Sequence, residues 1–228
     1  MSNVPDIIRD FDRVPANIVK EASTFQPAIL GDVAGRRGAM HGRIKALRPN
    51  MKVAGTAFTV EVRPGDNLMI HAAMAMAKPG DVLVIDGKAD QTAALMGTIM
   101  MTVCKKLGIA GVVIDGASRD SLEIEEMDFP VFSVGTNPNG PTKMVPGRIG
   151  HPVSVGGVMV HAGDFVIGDA DGVVVVEREK IEGLLPIAAK KVKDEAARIE
   201  AIQGGDTNAK WLVSALRAAG VLKEGESL

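Results

Sequence analysis

The sequence has few of the residues on which several classes of protein depend. Its 228 residues include no tyrosine, one tryptophan and one cysteine, and aromatic residues make up 3% of the chain. A lone cysteine cannot form an internal disulfide, and so few rings cannot build the stacking platform of a single-strand nucleic-acid binder. The formal charge of −2 also lacks the positive excess that attracts a phosphate backbone. We therefore predict no direct nucleic-acid partner.

Long apolar runs are missing as well. No uninterrupted stretch approaches the roughly 20 residues that span a bilayer, and residues 1–12 are charged and lack the apolar core of a signal peptide. This predicts no membrane partner and a cytoplasmic protein. Hydrophobic residues make up 46% and charged residues 24% of the chain, which is ordinary for a packed globular protein. The lone Cys104 lies in an apolar helical pattern and is predicted to belong to the core.

Short runs rich in valine and isoleucine predict an α/β fold. Such continuous apolar runs are typical of strands that are covered on both faces. The predicted strands are residues 56–62, 82–86, 111–114, 131–134 and 173–176, with a meander of short strands in 153–166. Apolar spacing predicts helices over 67–77, 92–107 and 208–219, and from residue 179 onward the chain becomes charged and helical. We predict one domain over 1–228, in which 179–228 form a helical C-terminal extension.

A Gly-Asp turn recurs three times. It is found at Pro64-Gly65-Asp66, Pro79-Gly80-Asp81 and Ala162-Gly163-Asp164. Proline favours the start of a turn and glycine accepts a positive φ, so each copy predicts a tight turn. The first copy leads into a predicted helix and the other two lead into predicted strands.

The residues best suited to bind a ligand or a metal come after two of the predicted strands. Ligands of open α/β sheets bind at the carboxyl ends of strands, and Asp86-Gly87 and Asp115-Gly116 both mark such an edge. Arg119-Asp120 comes immediately after the second. Arginine can clamp a carboxylate as a fork, and aspartate can hold a hard divalent cation. The alternative is that Arg119 pairs with Glu123 along one helical turn.

A second candidate is a glycine near the start of a predicted helix. There, free backbone N–H groups could face an anion and hold a substrate carboxylate between this segment and Arg119. The segment consists of Leu95, Met96, Gly97, Thr98 and Ile99. The alternative is a glycine that permits close helix packing. Glycine-rich nucleotide loops and the common zinc and serine-hydrolase motifs are absent from the sequence, and His71 is assigned a structural role on an apolar helix face.

Several short stretches, in this order and spacing, resemble the RraA-like family, which includes the 4-hydroxy-4-methyl-2-oxoglutarate / 4-carboxy-4-hydroxy-2-oxoadipate aldolases. The matching stretches are Leu30-Gly31-Asp32-Val33, Gly55-Thr56-Ala57-Phe58-Thr59-Val60, Pro79-Gly80-Asp81-Val82, Gly108 to Gly116, Arg119-Asp120, Phe129-Pro130-Val131-Phe132 and Gly168 to Val175. The resemblance implies a βαβ swivelling-domain core, like that of phosphohistidine domains, in homotrimers or hexamers with active sites between subunits. Residues 179–228 would then contribute to the subunit interface.

The resemblance also implies an activity. Such a protein would be a class II pyruvate aldolase, a carbon-carbon lyase of aromatic-compound catabolism that depends on Mg²⁺ or Mn²⁺ and also decarboxylates oxaloacetate. Arg119 and Asp120 match the family's substrate-clamping arginine and metal-site aspartate, and residues 95–99 would help to bind the 2-oxo acid. Glu195 falls where the family places a metal-site carboxylate from the adjacent subunit. Spacing alone equally allows Glu195 to pair with Lys191.

One position departs from the aldolase pattern. Thr98 stands where the aldolases carry an acidic residue, and threonine supplies no negative charge to a metal's water shell. Glu123, Asp115 and Asp86 are the nearby carboxylates that could compensate. Two alternatives therefore stay open: a non-catalytic regulator that binds and inhibits a ribonuclease, and a lyase for another 2-oxo acid.

Overall fold

The structure is a computed structural model and describes residues 6–228. Residues 1–5, part of the segment in which the sequence predicts no signal peptide, lie outside this range. The chain divides into two compact units, one ending at Ala188 and the other comprising Ala189–Leu228. Within residues 6–228, no helix is both long enough and apolar enough to cross a membrane.

Strands and helices alternate over residues 53–136, and further strands follow consecutively up to residue 176. The helices are α1 (Ala16–Ala22), α2 (Pro27–Val33), α3 (Leu68–Met76), α4 (Thr98–Lys106), α5 (Ser121–Glu126), α6 (Arg178–Gln203) and α7 (Leu212–Ala218). The strands are β1 (Lys45–Ala46), β2 (Val53–Glu61), β3 (Asp81–Met96), β4 (Gly111–Ser118), β5 (Val131–Thr136), β6 (Arg148–Ile149), β7 (Val153–Val155), β8 (Val158–Val160), β9 (Phe165–Asp169) and β10 (Gly172–Val176).

A mixed eight-stranded sheet forms the centre of the first unit. Its order is β1-β5-β4-β3-β2-β9-β10, with β6 paired to β2, and β7 and β8 form a separate hairpin. Strands β2, β3, β4 and β5 run parallel to one another, so their carboxyl ends meet at one edge. The predicted α/β class is confirmed, and this edge is where the fold favours a ligand site.

Apolar side chains cover both faces of the central strands. Phe58 and Ile85 belong to a buried cluster on one face, and Val84 and Phe132 belong to a second cluster on the other. Alternate residues of a strand point to opposite faces, so a continuous apolar run fills both layers. Cys104 is buried in the first cluster, and burial raises its pKa to about 12, which confirms its predicted place in the core.

The helix predicted over residues 92–107 begins later than expected. Strand β3 continues to Met96, and α4 starts at Thr98. The register between β3 and β4 shifts several times after Asp86, and Lys88 and Ala89 have φ of 60° and 58°. These irregularities let the apolar residues before Gly97 continue along β4 as a strand, although their spacing also fits a helix.

Asp115-Gly116 lies inside β4, so its predicted position at the end of a strand was wrong. The Asp115 carboxylate accepts two hydrogen bonds from the Arg43 guanidinium, at 3.1 Å and 2.8 Å, and a third from the N–H of Gly156. Gly156 lies in the turn between β7 and β8. Asp115 therefore ties the hairpin to the sheet.

The ion pair between Arg43 and Asp115 is expected to stabilise the fold. Asp115→Asn removes the charge from a buried group that accepts three hydrogen bonds, so we expect the free energy of unfolding to fall by about 1.5–3 kcal/mol. Urea unfolding followed by far-UV circular dichroism at pH 7 measures the change. Lys190→Gln, which breaks the exposed pair with Asp194, is the matched control and should cost less than about 0.5 kcal/mol. Equal urea midpoints for Asp115→Asn and the wild type would contradict the anchoring role.

Candidate functional site

Arg119 and Asp120 lie where β4 ends and α5 begins. Asp120 occupies the N-cap position of α5 with φ 60° and ψ 43°, a left-handed conformation that costs a non-glycine residue roughly 1–2 kcal/mol. The side chains of Arg119 and Asp120 are 40% and 35% exposed, and Arg119 Nε lies 3.6 Å from Asp120 Oδ1. Strain of this kind is often found where a fold must aim a functional side chain.

The ends of β3 and β4 touch at Gly97. Asp120 Oδ2 accepts a hydrogen bond of 2.9 Å from the N–H of Thr98, and the N–H of Arg119 donates to the carbonyl of Met96 at 3.0 Å. A Cβ on Gly97 would lie 2.4 Å from Asp120 Oδ2 and 2.9 Å from Arg119 Cγ. Glycine is therefore required here for the close approach of the Arg-Asp pair.

A cleft of about 210 Å³, which we call the site cleft, opens at this contact. Its lining residues are Asn67, His71, Ala94, Leu95, Met96, Gly97, Ile99, Met100, Arg119, Asp120, Gly140, Pro141 and Lys143. Six residues of the predicted site thus come together in one cleft. Thr98 joins them through its N–H bond to Asp120, whereas the Ile99 side chain is 79% exposed at the start of α4.

The site cleft carries more positive than negative charge. Arg119 and Lys143 are its cations, and Asp120 is the carboxylate among its lining residues. Partial desolvation of the imidazole, together with the nearby Lys143, lowers the pKa of His71, which favours the neutral ring at pH 7. His71 is exposed and lines the cleft, so it does not lie on the buried face of α3, and its role stays a prediction. These charges suit a small anion.

Two buried polar atoms at this site have no protein partner within residues 6–228. They are Asn67 Oδ1 and Thr98 Oγ1. The Asn67 amide is held by its Nδ2, which donates to the carbonyl of Leu95 at 2.8 Å. A buried polar atom without a hydrogen bond costs about 1–3 kcal/mol, so each atom marks a place where water or a ligand would complete the bonding.

Residues 137–141, which we call the dividing loop, also contribute to the site cleft. Asn137 Nδ2 donates to the carbonyl of Gln91 at 2.7 Å, and Asn139 Nδ2 donates to the carbonyl of Thr92 at 3.0 Å. The N–H of Ala94 donates to the carbonyl of Asn139 at 2.9 Å. Sequence reasoning missed this loop, although its Asn-Pro-Asn-Gly-Pro composition is a signal for turns.

The donor set fits a hydrated hard cation. Among residues 6–228 there is no cluster of three or more His, Cys, Asp or Glu side chains arranged to enclose a metal. Mg²⁺ commonly binds through one or two carboxylates and retains several waters, so a site with Asp120 as the one carboxylate is compatible with Mg²⁺. The Thr98 hydroxyl is a neutral oxygen without a protein partner, in the residue whose N–H binds Asp120.

The other carboxylates considered from the sequence have different surroundings. Asp115 is bound by Arg43, and Asp86 accepts a hydrogen bond of 2.6 Å from Lys88 Nζ. Glu123 is exposed on α5. Glu195, which belongs to the second unit, lies 2.7 Å from Lys191 Nζ, as the spacing alternative allowed. Its donation to a neighbouring subunit stays a prediction.

Comparisons with known proteins agree on one family. A family model described as "RraA-like: Aldolase/RraA" matches residues 7–175. The chain is 40% identical over 186 residues to a protein of Halalkalibacterium halodurans named "Putative 4-hydroxy-4-methyl-2-oxoglutarate aldolase". That match covers 82% of this chain and 89% of the relative. The resemblance found from short sequence stretches is confirmed.

Solved structures agree on the fold. Streptomyces coelicolor RraAS2, described as "an unusual member of the RNase ES inhibitor RraA protein family", matches with a TM-score of 0.76 and 27% identity, covering 83% of this chain and 99% of that one. The "RNA-processing inhibitor RraA from Thermus thermophilis" matches with a TM-score of 0.62 and 27% identity, covering 66% of this chain and 92% of that one. Both of these structural relatives are described as inhibitors of an RNase or of RNA processing, whereas the sequence relative is named as an aldolase.

Asp66 fixes two borders of the site cleft. Its carboxylate accepts hydrogen bonds from the Thr142 hydroxyl at 2.6 Å, from the N–H of Met144 at 2.8 Å and from the N–H of Leu68 at 3.0 Å. Asp66 thereby joins the segment that carries Lys143 to the start of α3. Burial opposes its ionisation, but these hydrogen bonds outweigh burial and lower the pKa of Asp66 to about 2.

The lowered pKa of Asp66 predicts a pH dependence of stability. An unfolded aspartate titrates near pH ~3.9, so the ionised group stabilises the fold above that pH, and its contribution is lost as the pH falls towards 2. We expect Asp66→Asn to lower the free energy of unfolding by about 1–3 kcal/mol at pH 7 and to flatten its decline between about pH 5 and pH 2.5. Urea unfolding measured at several pH values in this range tests the prediction, with the exposed Asp171→Asn as the control. The prediction is wrong if the free energy of unfolding of Asp66→Asn declines with falling pH as steeply as that of the wild type.

Proposed function

The chain belongs to the RraA-like family, and we propose that it is a divalent-metal-dependent pyruvate aldolase. Its substrates would be of the 4-hydroxy-4-methyl-2-oxoglutarate or 4-carboxy-4-hydroxy-2-oxoadipate type, cleaved to pyruvate and a second 2-oxo acid, with oxaloacetate decarboxylation as a side activity. The name of the Halalkalibacterium halodurans relative supports this class of reaction. The observation that carries the proposal is that Arg119 and Asp120 line the same small cleft at the end of β4.

Substrate binding would use the positive side of the site cleft. The Arg119 guanidinium can hold a carboxylate through two parallel hydrogen bonds, which suits the carboxyl end of a 2-oxo acid. Lys143 adds a second positive charge to the lining. The first N–H groups of α4 have no acceptor within the helix, and the positive end of its dipole lies beside Asp120. An anion in this cleft would meet favourable charges from three elements.

Asp120 would hold the metal, and Glu195 of an adjacent copy would be the second carboxylate. When bound, Mg²⁺ or Mn²⁺ supplies Lewis-acid stabilisation of negative charge on substrate oxygens. The Thr98 N–H fixes Asp120 Oδ2, so the carboxylate stays oriented when the cleft is empty. Thr98 itself adds a neutral hydroxyl where the aldolases carry an acid.

Cleavage needs charge stabilisation and a place for one proton. The bond between C3 and C4 breaks, its electron pair stays with the pyruvate half, and the C4 hydroxyl becomes a carbonyl as it loses its proton. Arg119 would stabilise the oxygen of the pyruvate half on which negative charge develops. Neutral His71 can accept the hydroxyl proton directly or through water, and C3 is then protonated. Leu95, Met96 and Met100 keep one side of the cleft apolar.

A second function is favoured by two structural relatives described as inhibitors of RNA processing or of an RNase. In this alternative the chain binds a ribonuclease and needs no chemistry at Arg119 and Asp120. The neutral Thr98 is compatible with it. A third candidate keeps the same site but takes another 2-oxo acid.

An assay of pyruvate release separates these functions. We expect the purified protein with Mg²⁺ to release pyruvate from 4-hydroxy-4-methyl-2-oxoglutarate and from oxaloacetate, and EDTA to reduce both rates at least about tenfold because the Lewis acid is removed. Restoring Mg²⁺ should restore the rates. Release from oxaloacetate alone would favour a lyase for another 2-oxo acid. No release from either substrate, with a ribonuclease captured from lysate, would favour the regulator.

The clamp assigned to Arg119 is tested by a conservative substitution. Arg119→Lys keeps the charge but loses the planar fork, so we expect kcat/KM for oxaloacetate to fall about 10- to 100-fold. Far-UV circular dichroism should stay unchanged, because the side chain is partly exposed. Arg36→Lys, at an exposed arginine of the turn after α2, is the matched control and should retain wild-type kinetics. Wild-type kcat/KM in Arg119→Lys would show that the clamp assignment is wrong.

A further inference from the structure

Arg119 and Asp120 line a second cavity, of about 340 Å³, which we call the second cleft. Its other lining residues are Ser121, Thr136, Asn137 and Pro138. Arg119 and Asp120 are the two residues that both clefts share. The pair therefore stands at a junction with a cavity on each side.

The dividing loop contributes residues to both clefts. Pro138 lines the second cleft, whereas Gly140 and Pro141 line the site cleft. A Cβ on Gly140 would lie 3.0 Å from Arg119 Nη1, so the loop passes directly against the guanidinium. The N–H of Asn137 donates to the carbonyl of Ser118 at 2.9 Å, which adds to the asparagine bonds to β3. The loop therefore lies against Arg119, while Arg119 and Asp120 themselves line both clefts.

The site cleft is small for an entire aldol substrate. Its volume of about 210 Å³ lies below the roughly 300–1,000 Å³ typical of ligand pockets. The proposed substrate consists of two halves joined by the bond that breaks, and only the pyruvate half needs the charges of the site cleft. A continuation beyond Arg119 would accommodate the other half.

We propose that the second cleft binds the departing 2-oxo acid half of the substrate, with Thr136 as the residue that determines specificity; this rests on the proposed aldolase function. Thr136 and Ser121 supply hydroxyl groups that can donate hydrogen bonds to carbonyl or carboxylate oxygens. The Asn137 amide is already used, since its Nδ2 donates to Gln91 and its Oδ1 accepts from the N–H of Asn139. Besides Arg119 and Asp120, the lining is neutral.

Two substrates that differ in their need for the second cleft can test its role. 4-Hydroxy-4-methyl-2-oxoglutarate releases a second 2-oxo acid, which would need the second cleft. Oxaloacetate loses carbon dioxide instead and has no such half. Thr136 is exposed as the last residue of β5, so a larger side chain there can fill the second cleft without disturbing the core.

The experiment compares both substrates on the purified, Mg²⁺-loaded Thr136→Trp protein. We expect kcat/KM for 4-hydroxy-4-methyl-2-oxoglutarate to fall at least about tenfold, whereas kcat/KM for oxaloacetate changes less than about twofold. Thr136→Val, which removes only the hydroxyl, should raise KM for the larger substrate about two- to fivefold. Thr207→Val in the second unit is the matched control and should leave both activities unchanged.

Each other outcome overturns the inference. Equal losses on both substrates would mean that Thr136 acts through Arg119 and that the second cleft is not a separate subsite. Wild-type kinetics of Thr136→Trp on the larger substrate would mean that nothing binds there. A wild-type protein that releases pyruvate from neither substrate would overturn the aldolase function together with this inference, which distinguishes that failure from the other two.

Discussion

The hydrogen bond from the Thr98 N–H to the Asp120 carboxylate is the contact on which the site depends. It requires the ends of β3 and β4 to approach so closely that a single methyl group on Gly97 would overlap Asp120 Oδ2, at 2.4 Å. The same contact sets the start of α4, the left-handed backbone of Asp120 and the position of Arg119. The Arg119 guanidinium and the Asp120 carboxylate are thereby held side by side at the start of α4.

Buried carboxylates at the three Gly-Asp turns make further contacts that connect segments of the unit. Asp66, Asp81 and Asp164 are each at most 5% exposed and each accepts backbone N–H bonds, while the preceding glycines have φ between 72° and 101°. Asp81 also binds Arg13 in a bidentate pair. Asp164 accepts the N–H of Arg178, the first residue of α6. These aspartates join segments that are distant in sequence.

The sequence predicted the α/β class, four central strands, the edge strand β10 and the segment that carries Arg119 and Asp120, because continuous apolar runs and the polar residues that follow them are local patterns. It misplaced the start of α4, since apolar spacing before Gly97 fits a strand as well as a helix. It missed the dividing loop and Asn67 because their roles arise from hydrogen bonds to β3 and its end, far away along the chain. Whether Glu195 reaches a neighbour's metal depends on assembly, which lies beyond one chain's local patterns.

The position of the single tryptophan decides what fluorescence can observe. Trp211 is 67% exposed in the unit Ala189–Leu228, and the chain contains no tyrosine. Its indole emission reports on the C-terminal helices, while the unit that holds both clefts contributes almost no intrinsic signal. The fluorescence of a tryptophan introduced into that unit would therefore be measured against the emission of Trp211 alone, whose position is known and solvated. Replacement of Trp211 by phenylalanine would remove this background emission.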